Sequence, residues 1–118
     1  MPNIYDFDRL YRARKTALGV SGETVRIRLG QLGPGTLRVL THVTVENRDG
    51  TAYRCRLGIH SGGKDYYLDE IMDLVAGELC VSRSDILLSE GDVFFSEFTT
   101  VATDNVLVMT CVGWTKGL

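Results

Sequence analysis

The sequence predicts an all-β protein: an antiparallel β-sandwich of jelly-roll or Greek-key type, with seven or eight strands, preceded by an N-terminal arm. Three observations lead there. From Thr24 onward, apolar and polar residues alternate with a period of two, the mark of strands with one buried and one wet face. Turn chemistry at Gly33-Pro34-Gly35, Asn47-Arg48-Asp49-Gly50 and Glu90-Gly91-Asp92 breaks the alternation, at roughly the 8–12-residue spacing of sandwiches and barrels. No stretch carries the helical period of roughly 10–15 residues that a parallel crossover needs. The 118 residues suit one domain. A chain of this size buries roughly two-thirds of its unfolded surface, so its core needs neither metals nor disulfides.

Residues 1–22 form the expected arm, a short helix or an extended segment. Ile4, Phe7, Leu10 and Tyr11 follow helical spacing for about two turns, and Arg9, Arg12, Arg14 and Lys15 make a basic cluster. So short a helix is marginal alone. The arm therefore needs a surface in this subunit or in a neighbour, and these eight residues are its expected interface. Gly19-Val20-Ser21-Gly22 reads as a flexible joint, and the sandwich is expected over residues 23–118. In its first strand Val25, Ile27 and Leu29 alternate with Arg26 and Arg28. From Leu37 to Glu46, Val39, Val43 and Val45 share one face, and Arg38, His42, Thr44 and Glu46 the other. Tyr53, Cys55, Leu57 and Ile59 make the third strand, and Asp65–Leu68 a short one after the glycine-rich loop at 60–64. Asp69–Ala76 reads equally as a helical turn or a long loop. Leu79 and Val81, then Leu87-Leu88, mark short strands, and Val93–Thr99 and Asn105–Trp114 close the fold.

Candidate chemistry is weak at every site. Gly58, Gly63 and Lys64 match the spacing of a phosphate-binding P-loop, but Asp65 stands where Ser or Thr should hold magnesium. Tyr66-Tyr67-Leu68 also reads as strand, where a helix N-terminus should face the phosphates; a hairpin loop is the plainer reading. His42 and His60 have no partner at a metal-ligand spacing. Asp65, Asp69, Glu70 and Asp73 lack the alternating ligands and glycine of a calcium loop, and nothing fixes a carboxylate pair for glycoside hydrolysis. Cys55, Cys80 and Cys111 are odd in number and widely spaced, which argues against a disulfide framework or zinc knuckle; they read as small buried hydrophobes. No active site is legible, and neither an enzyme nor a cofactor is expected. Tyr67 and Trp114 are the candidate ligand platforms for a carbohydrate-binding or adhesion module, the alternative function. Tyr66 and Tyr67 cannot both serve, because adjacent strand residues point to opposite faces.

The net charge of −2 implies no polyanionic partner. Its distribution says more. Residues 1–59 hold ten Lys/Arg against five Asp/Glu, and residues 60–118 hold three against ten. Four cations in the arm are a thin footprint for nucleic acid, so the arm is expected on the acidic half of a neighbouring subunit. No apolar run approaches the ~20 residues that span a membrane, and no signal peptide is expected.

The order of signals from Pro34 on is distinctive. Pro34-Gly35-Thr36-Leu37-Arg38-Val39-Leu40 opens it, followed by Val43-Thr44-Val45-Glu46-Asn47. A strand ending Leu57-Gly58-Ile59 comes next, then Ile86-Leu87-Leu88-Ser89-Glu90-Gly91-Asp92 and a valine-rich strand ending at Gly113. This resembles the small β-sandwich virion proteins of tailed bacteriophages, in which a strand closing on Val-x-Asn and a Leu-x-x-Gly-Asp turn recur. The resemblance covers about two-thirds of the chain. It implies a non-enzymatic structural component of the virion, in head decoration, neck or tail. Such a protein is assembled in the host cytoplasm as a homo-oligomer, with copies of itself and other virion proteins as partners.

Overall fold

A computed structural model describes residues 9–82 and 85–117. Among these residues the chain is all-β and antiparallel, with nine strands in two sheets that form a β-sandwich. The strands are β1 (Arg9–Leu18), β2 (Val25–Arg28), β3 (Thr36–Asn47), β4 (Ala52–Ser61), β5 (Lys64–Leu74), β6 (Cys80–Val81), β7 (Ile86–Leu88), β8 (Val93–Thr99) and β9 (Val106–Gly117). The first sheet has the order β1-β9-β3, with β6 and β7 sharing the far edge of β3, and the second the order β2-β8-β4-β5. Six of the eight connections change sheet, so sequence neighbours lie mostly in opposite layers. The additional strand relative to expectation is β1, which the sequence assigns to the arm.

The ladder between β3 and β9 is the centre of the first sheet, running from Thr36↔Gly117 to Asn47↔Leu107. It is interrupted once, by a shift of register between Leu40 and His42. The inserted Thr41 leans back on β9, its hydroxyl donating to the Val112 carbonyl at 3.3 Å. An extra residue reverses the facing of everything on one side of it. Leu40 thus joins Val43 and Val45 in the core, and Val39 is turned to the outer face beside Trp114. The simple alternation read from the sequence, with Val39 on the face of Val43, is corrected by this bulge. The bulge also presses β3 onto β9 at Gly113, where a Cβ would lie 1.9 Å from the Val39 carbonyl oxygen and 2.9 Å from the Leu40 Cα. Only glycine fits against backbone that close.

The core lies between the inner faces. Leu40, Val43, Val45, Met109 and Cys111 from one sheet meet Ile27, Cys55, Leu57, Phe94 and Phe98 from the other, all buried. Burying each large side chain fully is worth roughly 1.5–3 kcal/mol. Tyr11, Ala13 and Ala17 close the core from β1. The described part of the arm thus finds a surface in its own subunit, pairing with β9 along its whole length from Arg9↔Thr115 to Leu18↔Val106. Its exit is not a loose joint. Gly19 donates to the Asn105 carbonyl at 2.8 Å and accepts from the Asp104 amide at 2.9 Å, and Ser21 donates to the Thr103 hydroxyl at 3.1 Å.

One end of the sandwich is fastened by Asn47, which is fully buried. Its Nδ2 donates to the Thr51 carbonyl at 3.2 Å and to Asn105 Oδ1 at 3.0 Å, and its Oδ1 accepts from the amides of Asp49 and Gly50. A buried amide with every atom paired ties the β3–β4 turn to the β8–β9 turn at no desolvation cost.

Replacing Gly113 by alanine is expected to lower stability by about 3 kcal/mol or more, because two central strands must separate. Gly117→Ala, with nothing within 4 Å of its added Cβ, should change little. Urea midpoints of the two variants check this; equal midpoints would refute the packing argument.

Candidate functional site

The outer face of the second sheet carries every ion pair found among the described residues, and their arrangement follows from strand register. Pairing sets Arg26 opposite Glu97, Glu97 opposite Arg56, and Arg56 opposite Glu70, an alternating row of charges across all four strands. The next row holds Arg28, Phe95, Gly58 and Tyr67. Phe95 is fully buried although it lies outside the core between the sheets. The Arg26 guanidinium covers it at 3.9 Å from the ring centroid, and Tyr67 packs edge-on at 5.7 Å. Gly58 leaves room for that ring, since a Cβ there would lie 2.7 Å from Phe95 Cζ and 2.6 Å from the Tyr66 carbonyl oxygen.

Over this gap Arg26 reaches from β2 to β5. It pairs with Glu97 Oε2, donates to Asp65 Oδ2 at 3.1 Å, and lies 3.4 Å from the Tyr67 hydroxyl. Burial lowers the Arg26 pKa, but hydrogen bonds to Glu97 and Asp65 outweigh it and hold the guanidinium above its ordinary value. Asp65 is held below the ordinary carboxylate value, first by Arg26 and then by His60, whose Nδ1 lies 2.7 Å from Oδ1. Glu70 pairs with Arg56 at 2.9 Å and Arg54 at 3.7 Å. The face is a brace: two cation–π contacts, Arg26 on Phe95 and Arg56 on Tyr67, and a short charge network hold four strands in register.

The sequence candidates land as follows. The P-loop lookalike is the β4–β5 hairpin: Gly58 makes space for Phe95, Gly62 and Gly63 turn with positive φ, and Lys64 opens a strand. His42 and His60 lie on different sheets. Among the described residues no three His, Cys, Asp or Glu side chains are grouped to hold a metal. Cys55 and Cys111 are buried thiols whose pKa values burial pushes up to about 12, and the partly exposed Cys80 thiol is also raised. Such thiols stay protonated and inert. Tyr67 and Trp114 occupy the outer faces of opposite sheets, so they do not line one groove. The Arg56 guanidinium stands over the Tyr67 ring at 4.9 Å. An open groove of about 460 Å³ beside it is lined by Arg56, Tyr67, Leu68, Asp69 and Glu70.

Of the expected arm interface, Ile4 and Phe7 lie outside the described residues. Tyr11 packs inward beneath Arg38, 3.7 Å from its guanidinium. Leu10, Arg9, Arg12, Arg14 and Lys15 are exposed. Two features escaped the sequence reading. First, β1 is an edge strand, and the four cations it carries form no ion pair among the described residues. Second, β5 runs on through Asp69–Leu74 as the opposite sheet's edge, interrupted by a bulge at Leu68. Exposed apolar residues crowd that side: Tyr66, Leu68, Met72, Val75, Leu79 and Val81. A second groove of about 600 Å³ runs there between Asp69–Ile71 and Glu78–Val81. The available signal for β5 was composition, since acids interleaved with exposed apolar residues fit an edge strand that gives only Ile71 and Leu74 to the core.

No protein-family model, no curated protein and no solved structure matches the chain. Among the described residues no helix is long and apolar enough to cross a membrane.

The Asp65 network makes stability depend on pH in a fixed direction. A carboxylate whose pKa is lower folded than unfolded stabilises fully above its unfolded value, near 3.8 here, and loses that contribution as pH falls through the native value. Asp65→Asn is therefore expected to cost a constant amount above about pH 5 and progressively less below it. Chemical unfolding of both proteins across the acid range checks this, and a cost that does not shrink in acid would count against it.

Proposed function

We propose that the chain is a non-enzymatic structural subunit that assembles into a homo-oligomer, as a head-decoration, neck or tail component of a bacteriophage virion. The observation that carries the reading is the pair of long strand edges, β1 and β5, on opposite sides of the sandwich, which no strand among the described residues pairs. Open edges are liabilities for a monomer and docking strips for an assembly. The ion pairs on the outer face of the second sheet serve as braces, which leaves the strand edges as the surface to meet partners. We read the order β1-β9-β3-β6/β7 over β2-β8-β4-β5 as a jelly roll. Jelly rolls are frequent in viral capsids and in lectins, which supports the reading by analogy of fold alone. The resemblance at Val45-Glu46-Asn47 and Leu88-Ser89-Glu90-Gly91-Asp92 supports the virion assignment in particular. The first of these motifs ends on the buried Asn47. In the second, Asp92 Oδ2 accepts from the Ser89 amide at 2.9 Å.

A carbohydrate-binding module is the competing reading. It needs a free aromatic face, and Tyr67 has Arg56 over its ring while Trp114 is half-buried on the other sheet. Light scattering after size exclusion, over a wide range of protein concentration, separates the two. A defined oligomer is expected. A monomer at every concentration, together with binding on a glycan array, would replace this reading with the carbohydrate one.

A further inference from the structure

The two flanks of the sandwich differ in charge. On one flank β1 lies against β2 across the sandwich. Residues 9–28 hold six Lys/Arg against Glu23 alone, a net +5. The opposite flank is β5 with β6 beside it, joined across the 600 Å³ groove. Residues 64–82 hold five Asp/Glu against Lys64 alone, a net −4. On the basic flank Arg9, Arg12, Arg14 and Lys15 make no ion pair among the described residues; on the acidic flank the same is true of Asp69, Asp73 and Glu78. Both sets are carried on or beside an edge that no described strand pairs, of ten residues in β1 and eleven in β5.

We propose that the copies join head to tail, the β1 edge of one docking on the β5 edge of the next. This deepens the self-assembly reading above and rests on it. Charge selects the arrangement. A two-fold contact of β1 on β1 would set four cations against four, and β5 on β5 would set acids against acids; like charges facing across strands destabilise. Only the unlike pairing matches charge, and it is heterologous, so it repeats from copy to copy and closes into a ring when the rotation allows. The exposed Leu68, Met72, Leu79 and Val81 beside the acids supply apolar area for the contact, and the charges fix its register and exclude the wrong partner. Lys15, placed on the inward-facing side of β1 with Ala13 and Ala17, blocks indiscriminate edge pairing while leaving the acidic partner favoured.

The test uses the full chain and two charge-reversal variants with far-ultraviolet circular dichroism as the folding control. Arg12→Glu/Arg14→Glu/Lys15→Glu makes both flanks acidic, and Asp69→Lys/Asp73→Lys/Glu78→Lys makes both basic. Each alone is expected to weaken self-association at least about tenfold, as is raising salt to about 1 M, where exposed charges are screened. Mixed in equal amounts, the two variants are expected to assemble again, which an unfolded variant cannot do. Folded variants that oligomerise as well as the parent, or mixtures that stay dissociated, would overturn the head-to-tail contact while leaving self-assembly intact. A parent chain that is monomeric throughout would instead remove the assembly reading itself.

Discussion

The close approach of β3 to β9 at Gly113 is the constraint on which the rest of the structure depends. Thr41 enters the ladder as an extra residue, and the Val39 carbonyl then occupies the space a side chain at 113 would need. Because the bulge reverses facing, Leu40 goes to the core and Val39 to the surface. Everything that docks on this pair inherits its register. β1 lies along one side of β9 with Tyr11 opposite Gly113, and β7 lies along β3 with Leu87 opposite Val39. The edge that β1 presents is therefore set by one glycine in the centre of its sheet.

The second sheet is held by a different device. Among the described residues its outer face has no layer above it, yet it buries Phe95 completely. Arg26 does the covering, reaching across the missing side chain of Gly58 to Asp65 on the far strand. An exposed ion pair alone contributes little. Here the same guanidinium shields an aromatic ring and bridges carboxylates on two strands, so the pairs act as one network. That network engages Arg26, Arg56, Asp65, Glu70 and Glu97, whereas Arg12, Arg14, Lys15, Asp69, Asp73 and Glu78 on the flanks enter no ion pair among the described residues.

The fold class was legible because β2, β3, β4, β8 and β9 alternate strongly and the turns between them carry glycine, proline or Asn-Asp chemistry. The exceptions have physical causes. The inward residues of β1 are Tyr11, Ala13 and Ala17, with Lys15 in phase, a pattern too weakly apolar to register as a strand beside the helical spacing of Leu10 and Tyr11. Asp69–Leu74 lies on an edge where only Ile71 and Leu74 reach the core, so its alternation is diluted. Val39 was placed on the wrong face because a bulge leaves no mark in polarity. Phe95 is invisible as an outer-face residue, since its cover comes from strands distant in sequence. The basic cluster of the arm and the charge split between the halves were both plain; their position on opposite open edges required the topology.

Two strand edges of opposite charge make sense of a small sandwich that spends its polar groups on bracing. The most direct test of that account is zero-length carbodiimide coupling in an equal mixture of ¹⁴N- and ¹⁵N-labelled chains, which separates links between copies from links within one. The expected result is mixed-isotope links from Lys15 to Asp69, Asp73 or Glu78. Links confined to single copies, or between-copy links that avoid both edges, would contradict it.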